Sequence, residues 1–302
     1  MSLTYQTPYD LTRAGSPAIR RVICENPSPL TGFGTNSYLI GTRDVAVIDP
    51  GPDDDRHLAA VLDALTPDQR ITHILVTHAH LDHSPLARKL SERTGAPVFA
   101  FGGPDAGRSD IMTELMAHAD LAGGEGRDEI FRADVTLKDG DTVKATDWAL
   151  TAHWTPGHFG NHMTFETGDT VFSGDLVMGW ATSLVSPPDG DLTDFMASCR
   201  ALRGRAPARL LPGHGAVVEN ACERIDWLID HRLQREAQIL EVLSTRSATA
   251  ADITKVVYRD VATHLWPAAT RNVLAHLIDL KQQNRAFTQS PIKPDSVFSA
   301  SK

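Results

Sequence analysis

Residues 71–84 read ITHILVTHAHLDHS, and this stretch decides the fold. Ile71 to Thr77 form a β-branched, apolar run of strand length, while the residues from Ser84 to Arg93 carry helical spacing. Between them His78, His80, Asp82 and His83 fall within six residues. Imidazoles two apart at the end of a strand can point to one side, and an Asp-His pair at the start of the next helix can reach the same point, so four metal-binding side chains surround one small volume. At this chain's own His and Asp frequencies such an H-x-H-x-D-H run arises by chance roughly 0.002 times per chain, which makes it specific. A plain solvated turn is better built from Gly, Asn or Pro.

Working outward, short β runs are expected at RRVIC, NSYLI and DVAVID before the cluster, separated by turn segments such as NPSP and GTRD, with a helix over His57–Leu65. After it, strands are expected at APVFAF, WALTAHWT, MTFET, DTVFSG and ARLLPG, with a helix over Leu192–Arg203. Strands outnumber helices and connections are short, the pattern of an α/β or α+β sandwich with helices outside two sheets. From Ile225 to Leu243 apolar residues recur at 225, 228, 229, 233, 239, 240 and 243, which predicts a long amphipathic helix. Thr249 with Asp252 forms a capping box that opens a second helix, Pro267 opens a third, and RAFTQ follows as a possible β tail.

Each of three later β runs also ends in a candidate ligand beside glycine: His158 in TPGHFGNH, Asp175 in VFSGDL and His214 in LPGHG. Singly these are ordinary turn residues. Together with the first cluster they make a set of seven that two metals could share, with one bridging Asp and one bridging water.

These motifs, in this order and spacing, resemble the metal-binding motifs of the metallo-β-lactamase superfamily. The resemblance implies an αββα sandwich in which His78, His80 and His158 hold one metal, Asp82, His83 and His214 the second, and Asp175 bridges them. Asp49, in AVIDPG, resembles the aspartate on that superfamily's early strand that orients site residues. NPSPLTGFGTNSYLIG, SGDLVMGWATSLVSPPDGD, HRLQREAQIL and DITKVVYRD extend the likeness, from about residue 20 to 290, to the subgroup named after β-lactamase-like protein 2. That subgroup implies a catalytic domain over 1–219, then a linker helix and a small winged-helix-like domain over 220–302. One departure is Phe159, Gly160, Asn161 and His162, where the family often has a small polar run before an Asp-His. A carboxylate in place of His80 would resemble the diiron oxygen-reducing branch; histidine there favours hydrolysis.

Composition narrows the function. The chain has 302 residues, 41% of them hydrophobic and 22% charged, enough to bury a sizeable core. Residues 1–219 carry 18 basic and 29 acidic side chains, and residues 220–302 carry 11 and 9, so the main body argues against a surface that coats nucleic acid. Cys24, Cys199 and Cys222 show no CxxC spacing and are expected to be buried apolar residues. No apolar stretch approaches the roughly 20 residues of a membrane span, and MSLTYQTPYDLTRAG lacks a signal pattern, so a cytoplasmic location is the default.

Imidazole and carboxylate donors without cysteine suit zinc, two ions per chain, with iron or manganese able to substitute. Two such ions generate a bridging hydroxide near neutral pH, which Asp82 would orient and whose proton it would accept. His162 is a candidate general acid or supporting residue. Trp154, Phe159, Met178 and Trp180 are candidates for the pocket wall, and the loop from Gly179 to Asp191 for substrate contact. The primary reading is a hydrolase of a small-molecule ester, thioester or amide. A metal-dependent endoribonuclease is the alternative that the resemblance implies, since the resembled subgroup includes an endoribonuclease; residues 245–302, with 8 basic against 4 acidic side chains, among them Lys255, Arg259 and Arg271, would attract a phosphate backbone. A noncatalytic winged-helix regulator is a third reading, against which the seven matched positions count. β-Lactam hydrolysis is disfavoured for want of a secretion signal.

Overall fold

The computed structural model describes residues 5–118, 121 and 126–301, so the first four residues of the N-terminal stretch read above lie outside it. The first half builds strands β1 (Tyr9–Asp10), β2 (Ile19–Ile23), β3 (Asn36–Ile40), β4 (Asp44–Ile48), β5 (Arg70–Leu75), β6 (Val98–Ala100) and β7 (Val135–Thr136). They form one sheet in sequence order, antiparallel up to β4 and parallel from β4 to β7. Helices α1 (Asp55–Asp63), α2 (Leu86–Thr94) and α3 (Asp110–His118) interrupt it. A second sheet of order β12-β11-β10-β9-β8 comes from β8 (Thr142–Lys144), β9 (Ala149–Trp154), β10 (Met163–Thr167), β11 (Thr170–Gly174) and β12 (Arg209–Pro212), with α4 (Leu192–Gly204) between the last two.

Side-chain alternation explains the layering. Tyr38, Ile40, Ala46 and Ile48 face inward and meet Ala152, Phe165, Phe172 and Leu211 of the second sheet. Their neighbours Leu39, Val45 and Val47 face outward onto Leu58 and Val61 of α1 and Leu86 and Leu90 of α2. On the far side Val171 and Leu210 pack against Phe195, Cys199 and Leu202 of α4. The result is the expected αββα sandwich.

Beyond it run α5 (Ala221–Thr245), β13 (Ala248–Thr249), α6 (Ala250–Val257), a short 3-10 turn at Thr263–Leu265, α7 (Trp266–Gln282), β14 (Ala286–Phe287) and β15 (Val297–Ala300). The last three strands form a small antiparallel sheet of order β13-β15-β14 beside the helices, a winged-helix arrangement. Thr249 caps α6 as expected, its hydroxyl accepting from the Asp252 N–H at 3.2 Å. Pro267 stands in the first turn of α7. Helix α5 contributes Ile225 and Leu228 to the sandwich's outer core and Ile239 and Leu243 to the core around Ile253, Leu277 and Phe298.

Several expectations shift. Helix α1 starts before His57 because Asp54 caps it, accepting from the Arg56 N–H at 2.7 Å. Helix α2 begins at Leu86, with Pro85 in the N-cap position, and the Ser84 hydroxyl before it donates to Asp128 at 2.7 Å. Cys24 and Cys199 are buried, whereas Cys222 is partly exposed.

Leu228 is fully buried where α5 meets the sandwich. Leu228→Ala is expected to destabilise the protein by about 2–5 kcal/mol in urea denaturation. A loss under about 1 kcal/mol would mean that α5 does not anchor the sandwich.

Candidate metal centre

The parallel strands β4, β5, β11 and β12 end at one edge of the sandwich, where the chain turns and backbone ladders no longer occupy the side chains. Asp49 follows β4, the histidine cluster follows β5, Asp175 follows β11 and His214 follows β12, while His158 lies on the β9–β10 turn. The two sheets are tied there, the Asn36 N–H donating to the Gly213 carbonyl at 2.8 Å. Gly213 is required: a Cβ at that position would stand 2.5 Å from Asp175 Oδ1 and 2.6 Å from His83 Cε1.

All seven sequence-predicted residues meet at this edge. Their donor atoms fall into three overlapping groups, His78–His80–His158, His78–His83–Asp175 and Asp82–His83–His214, each within 4.8 Å. His80 Nδ1 lies 2.9 Å from His78 Nε2 and 3.1 Å from His158 Nε2. His83 and His214 face each other through their Nε2 atoms at 3.2 Å, and His214 Nε2 is 3.1 Å from Asp82 Oδ2. Asp175 spans the two sets, its Oδ2 lying 3.7 Å from His158 Nε2 and 3.4 Å from His214 Nε2.

Partners behind the rings fix which nitrogen faces inward. A carbonyl or carboxylate only accepts, so His158 donates through Nδ1 to the Leu184 carbonyl at 2.7 Å, His214 to the Gly34 carbonyl at 3.1 Å, and His83 to Asp49 at 3.0 Å. The Thr77 hydroxyl donates to Asp49 at 2.7 Å and therefore accepts from His78 Nδ1 at 2.9 Å. Four rings thus turn their Nε2 atoms toward the cluster of donors. Asp175 Oδ1 is buried and has no hydrogen-bond partner among the described residues. Converging ring nitrogens and an orphaned carboxylate oxygen are what a divalent cation compensates.

Without a cation the charges distribute themselves. Burial alone would push the His214 imidazole down, but the Asp175 carboxylate and hydrogen bonds to Asp175 and Asp82 hold it up at about 10. His83 opposes its burial likewise, raised by Asp82, Asp175 and Asp49. His80 goes the other way, to about 3, through burial and the neighbouring His158. Both carboxylates resist burial: His83 and His214 draw Asp82 and Asp175 below the usual carboxylate range.

His162 does not face the opening. Its Nε2 accepts from the Asp175 N–H at 3.1 Å and its Nδ1 donates to the Thr155 hydroxyl at 2.9 Å, so it supports the Asp175 turn and is not placed as a general acid. Phe159 packs against the His80 ring with centroids 4.7 Å apart. Trp154 stacks on Phe101, away from the centre. Met178 and Trp180 do line the cleft above it, a cavity of about 620 Å³, together with Ala181, Thr182 and Leu184 of the expected contact loop.

The sequence reading missed two contributors. Arg127 bridges Asp105, at 2.6 Å, and Asp189, at 3.3 Å, joining the segment after α3 to the contact loop. From the C-terminal part, His231, Arg235, Tyr258 and Asn272 line the same cleft. Three of them lie in segments that carry the family likeness, HRLQREAQIL and DITKVVYRD, but their spacing gave no chemical role, because on helical segments they read as ordinary face residues.

A two-sheet sandwich with His/Asp donor groups at the carboxyl ends of its strands defines the class: a metal-dependent hydrolase. Residues 30–214 match the family model described as the Metallo-beta-lactamase superfamily, and residues 249–291 match the Beta-lactamase associated winged helix domain. The chain belongs to the metallo-β-lactamase superfamily. A relative in Drosophila melanogaster named Beta-lactamase-like protein 2 homolog is 34% identical, with 91% of each chain covered. An Atrochrysone carboxyl ACP thioesterase of Aspergillus fumigatus is 29% identical over 90% of this chain and 84% of its own. A crystal structure of a beta-lactamase domain protein from Burkholderia ambifaria superposes with a TM-score of 0.80 at 19% identity, covering 100% of this chain and 95% of that one, which shows the shared fold.

The charge distribution sets a pH profile for protein stripped of divalent ions. Because His214 has its folded pKa raised to about 10, the stability it contributes is full below its unfolded value of 6.5 and is lost as pH rises through about 10. His80, depressed to about 3, acts on the acid side: as pH falls from 6.5 the unfolded chain takes up the proton first and stability falls. Melting temperature in chelator should peak near 6.5, and His214→Gln should flatten the alkaline limb. An alkaline limb identical in His214→Gln would refute the assignment.

Proposed function

We propose that this protein is a dinuclear zinc hydrolase of small acyl esters or thioesters. His78, His80 and His158 would hold one ion, and Asp82, His83 and His214 the other, with Asp175 shared. The observation that carries this reading is Asp175, one of whose oxygens lies within 3.7 Å of a histidine from each set. Imidazole and carboxylate donors without a thiolate favour zinc over softer metals, with iron or manganese as competitors. When bound, such a pair lowers the pKa of a shared water toward neutrality and polarises the acyl oxygen.

The chain's own residues supply the rest. Asp82, its side chain 28% exposed to the cleft, is placed to orient the attacking water and accept its proton. Asp49, behind His83 and Thr77, holds two of the rings in register. The wall of Met178, Trp180, Val261 and Leu265 supplies an apolar seat for an acyl group. The thioesterase named among the relatives supports a thioester as the scissile group.

As part of the same reading we place the division between catalytic and winged-helix parts at residues 219 and 220. The protein would work in the cytoplasm, a compartment that suits its three free cysteines. Among the described residues, no helix is long and apolar enough to cross a membrane. For the endoribonuclease alternative, the three cations expected to meet a phosphate backbone have other partners. Lys255 pairs with Asp252 at 3.1 Å, Arg259 lies 3.6 Å from Asp260, and Arg271 donates to the Ser186 hydroxyl at 2.8 Å and to the Pro187 carbonyl.

Elemental analysis of protein purified without chelator should find about two zinc ions per chain, the pair that a two-metal site requires. His78→Ala and His214→Ala should each lose one ion, and Asp175→Asn should weaken both. A content below one, or an Asp175→Asn protein that keeps one ion at full affinity, would overturn the shared-ligand assignment. Asp82→Ala, which removes a proposed ligand of the second ion together with the proton acceptor, should weaken that ion and lower thioester turnover by about 10²–10⁴-fold. Metal-dependent RNA cleavage lost in Asp82→Ala, with esters and thioesters at background, would replace this reading with the nuclease.

A further inference from the structure

Helix α5 carries Arg224, Trp227, His231 and Arg235 at spacings of three, four and four, one stripe along its face. The Arg224 guanidinium lies over Trp227 at 4.2 Å, Trp227 stacks on His231 with centroids 5.2 Å apart, and the Arg235 guanidinium lies over Tyr258 at 4.5 Å. Arg224 donates to the Met178 and Ala181 carbonyls, both at 2.7 Å. Arg235 donates from Nη1 to Gln238 Oε1 at 2.9 Å and to the Val257 carbonyl at 3.1 Å. Among the described residues no carboxylate lies within ion-pair distance of either arginine.

Two polar atoms on this stripe are left over. Arg235 Nε and His231 Nδ1 are buried and have no hydrogen-bond partner among the described residues. Both residues line the cleft that holds Asp82 and Asp175, which are its only acidic lining residues among those described. With Nη1 engaged, the Nε edge of the guanidinium is the one that grips a carboxylate or phosphate side-on. Burial and the neighbouring Arg232, Arg235 and Arg224 push the His231 imidazole down to about 4, so at neutral pH it offers hydrogen bonding without charge.

We propose that Arg235, with His231 beside it, is an anion subsite for a carboxylate or phosphate carried by the substrate, in the same cleft as Asp82 and Asp175, which Met178, Trp180, Val261 and Leu265 also line. The substrate class is an amphiphilic anionic acyl ester or thioester, an assignment that rests on the acyl-hydrolase reading above. A polynucleotide would call for a row of phosphate contacts, whereas here one guanidinium with a free edge sits in an apolar setting.

The experiment uses two matched pairs of thioesters with zinc-loaded full-length protein. S-butyryl- and S-glutaryl-N-acetylcysteamine differ by a carboxylate on the acyl side. S-butyrylpantetheine and its 4′-phosphate differ by a phosphate on the thiol side. In one pair the charged member should have a kcat/KM higher by about tenfold or more, as expected for a charge-assisted contact, and that pair identifies where the anion lies. Arg235→Gln should reduce the ratio to about one, and Arg235→Lys, which keeps the charge but loses the side-on grip, should give an intermediate ratio and serves if Arg235→Gln does not fold. Arg88→Gln, on an arginine whose side chain is 84% exposed on α2, should keep the wild-type ratio. The matching S-alkyl thioethers, titrated calorimetrically, read the same preference without turnover. No turnover of any thioester, with Arg235-dependent binding of a charged thioether, would refute acyl hydrolysis and leave the subsite standing. No charge preference in either pair or their thioethers, or a preference unchanged in Arg235→Gln, would overturn the subsite. Tighter binding of an oligoribonucleotide than of every charged thioether would overturn its assignment to a small substrate.

Discussion

The Asp49 carboxylate stands behind both sets of donors, and the geometry of the centre depends on it. It accepts from the Thr77 N–H and hydroxyl, both at 2.7 Å, and from His83 Nδ1 at 3.0 Å, and the same Thr77 hydroxyl receives His78 Nδ1. One side chain thereby fixes the tautomer and orientation of a ring in each set. To reach that position Asp49 adopts a φ of 50°, a left-handed conformation that costs a side-chain-bearing residue on the order of 1 kcal/mol. Three hydrogen bonds to a buried carboxylate outweigh that strain, since each charge-assisted bond contributes about 1.5–3 kcal/mol.

Backbone carbonyls do the same for His158 and His214, and this ties the centre to the rest of the molecule. His158 depends on the Leu184 carbonyl, and the neighbouring Val185 N–H is held by Asn272 Oδ1 at 3.1 Å. Asn272 also accepts from Arg232 at 3.0 Å, and Arg232 donates on to the Ser183 carbonyl. The contact loop is therefore fastened by α5 and α7 in the same few residues that orient a donor imidazole. Through this relay the winged-helix part supports the His158 side of the centre as well as walling the cleft.

How much of this was legible in the sequence follows from the range over which each feature is encoded. THAHLDHS is local: four donors on one strand-to-helix turn converge whatever the rest of the chain does, so the cluster could be read directly. His158, Asp175 and His214 were legible because each follows a β run beside glycine, where a strand end exposes its side chain. The long helix showed through its period, although Asn220 and the residues after it extend it beyond the apolar pattern. The two-residue strands β1, β7 and β13 are too short to alternate and left no signal. Whether His162 was a general acid or a supporting residue stayed open in the sequence because the groups that occupy it, the Asp175 N–H and the Thr155 hydroxyl, carry no sequence mark. The fork of Arg127 between Asp105 and Asp189 spans 62 residues on one side and is invisible without the fold.

Net charge illustrates the same limit. A body with 18 basic and 29 acidic side chains reads as unfriendly to anions, yet most of those carboxylates are solvated and screened within about 8–10 Å at ordinary salt. Inside the cleft the field comes from a few desolvated groups. Asp82 and Asp175 stand among five histidines, and the Arg235 guanidinium of α5 lines the same cleft, held by the Gln238 side-chain oxygen, the Val257 carbonyl and the Tyr258 ring. Each desolvated charge there acts at a lower effective dielectric than any surface carboxylate, so the local arrangement outweighs the global sum in deciding what enters. An acidic protein can thus present a cationic group to its substrate, provided that a second structural unit supplies it.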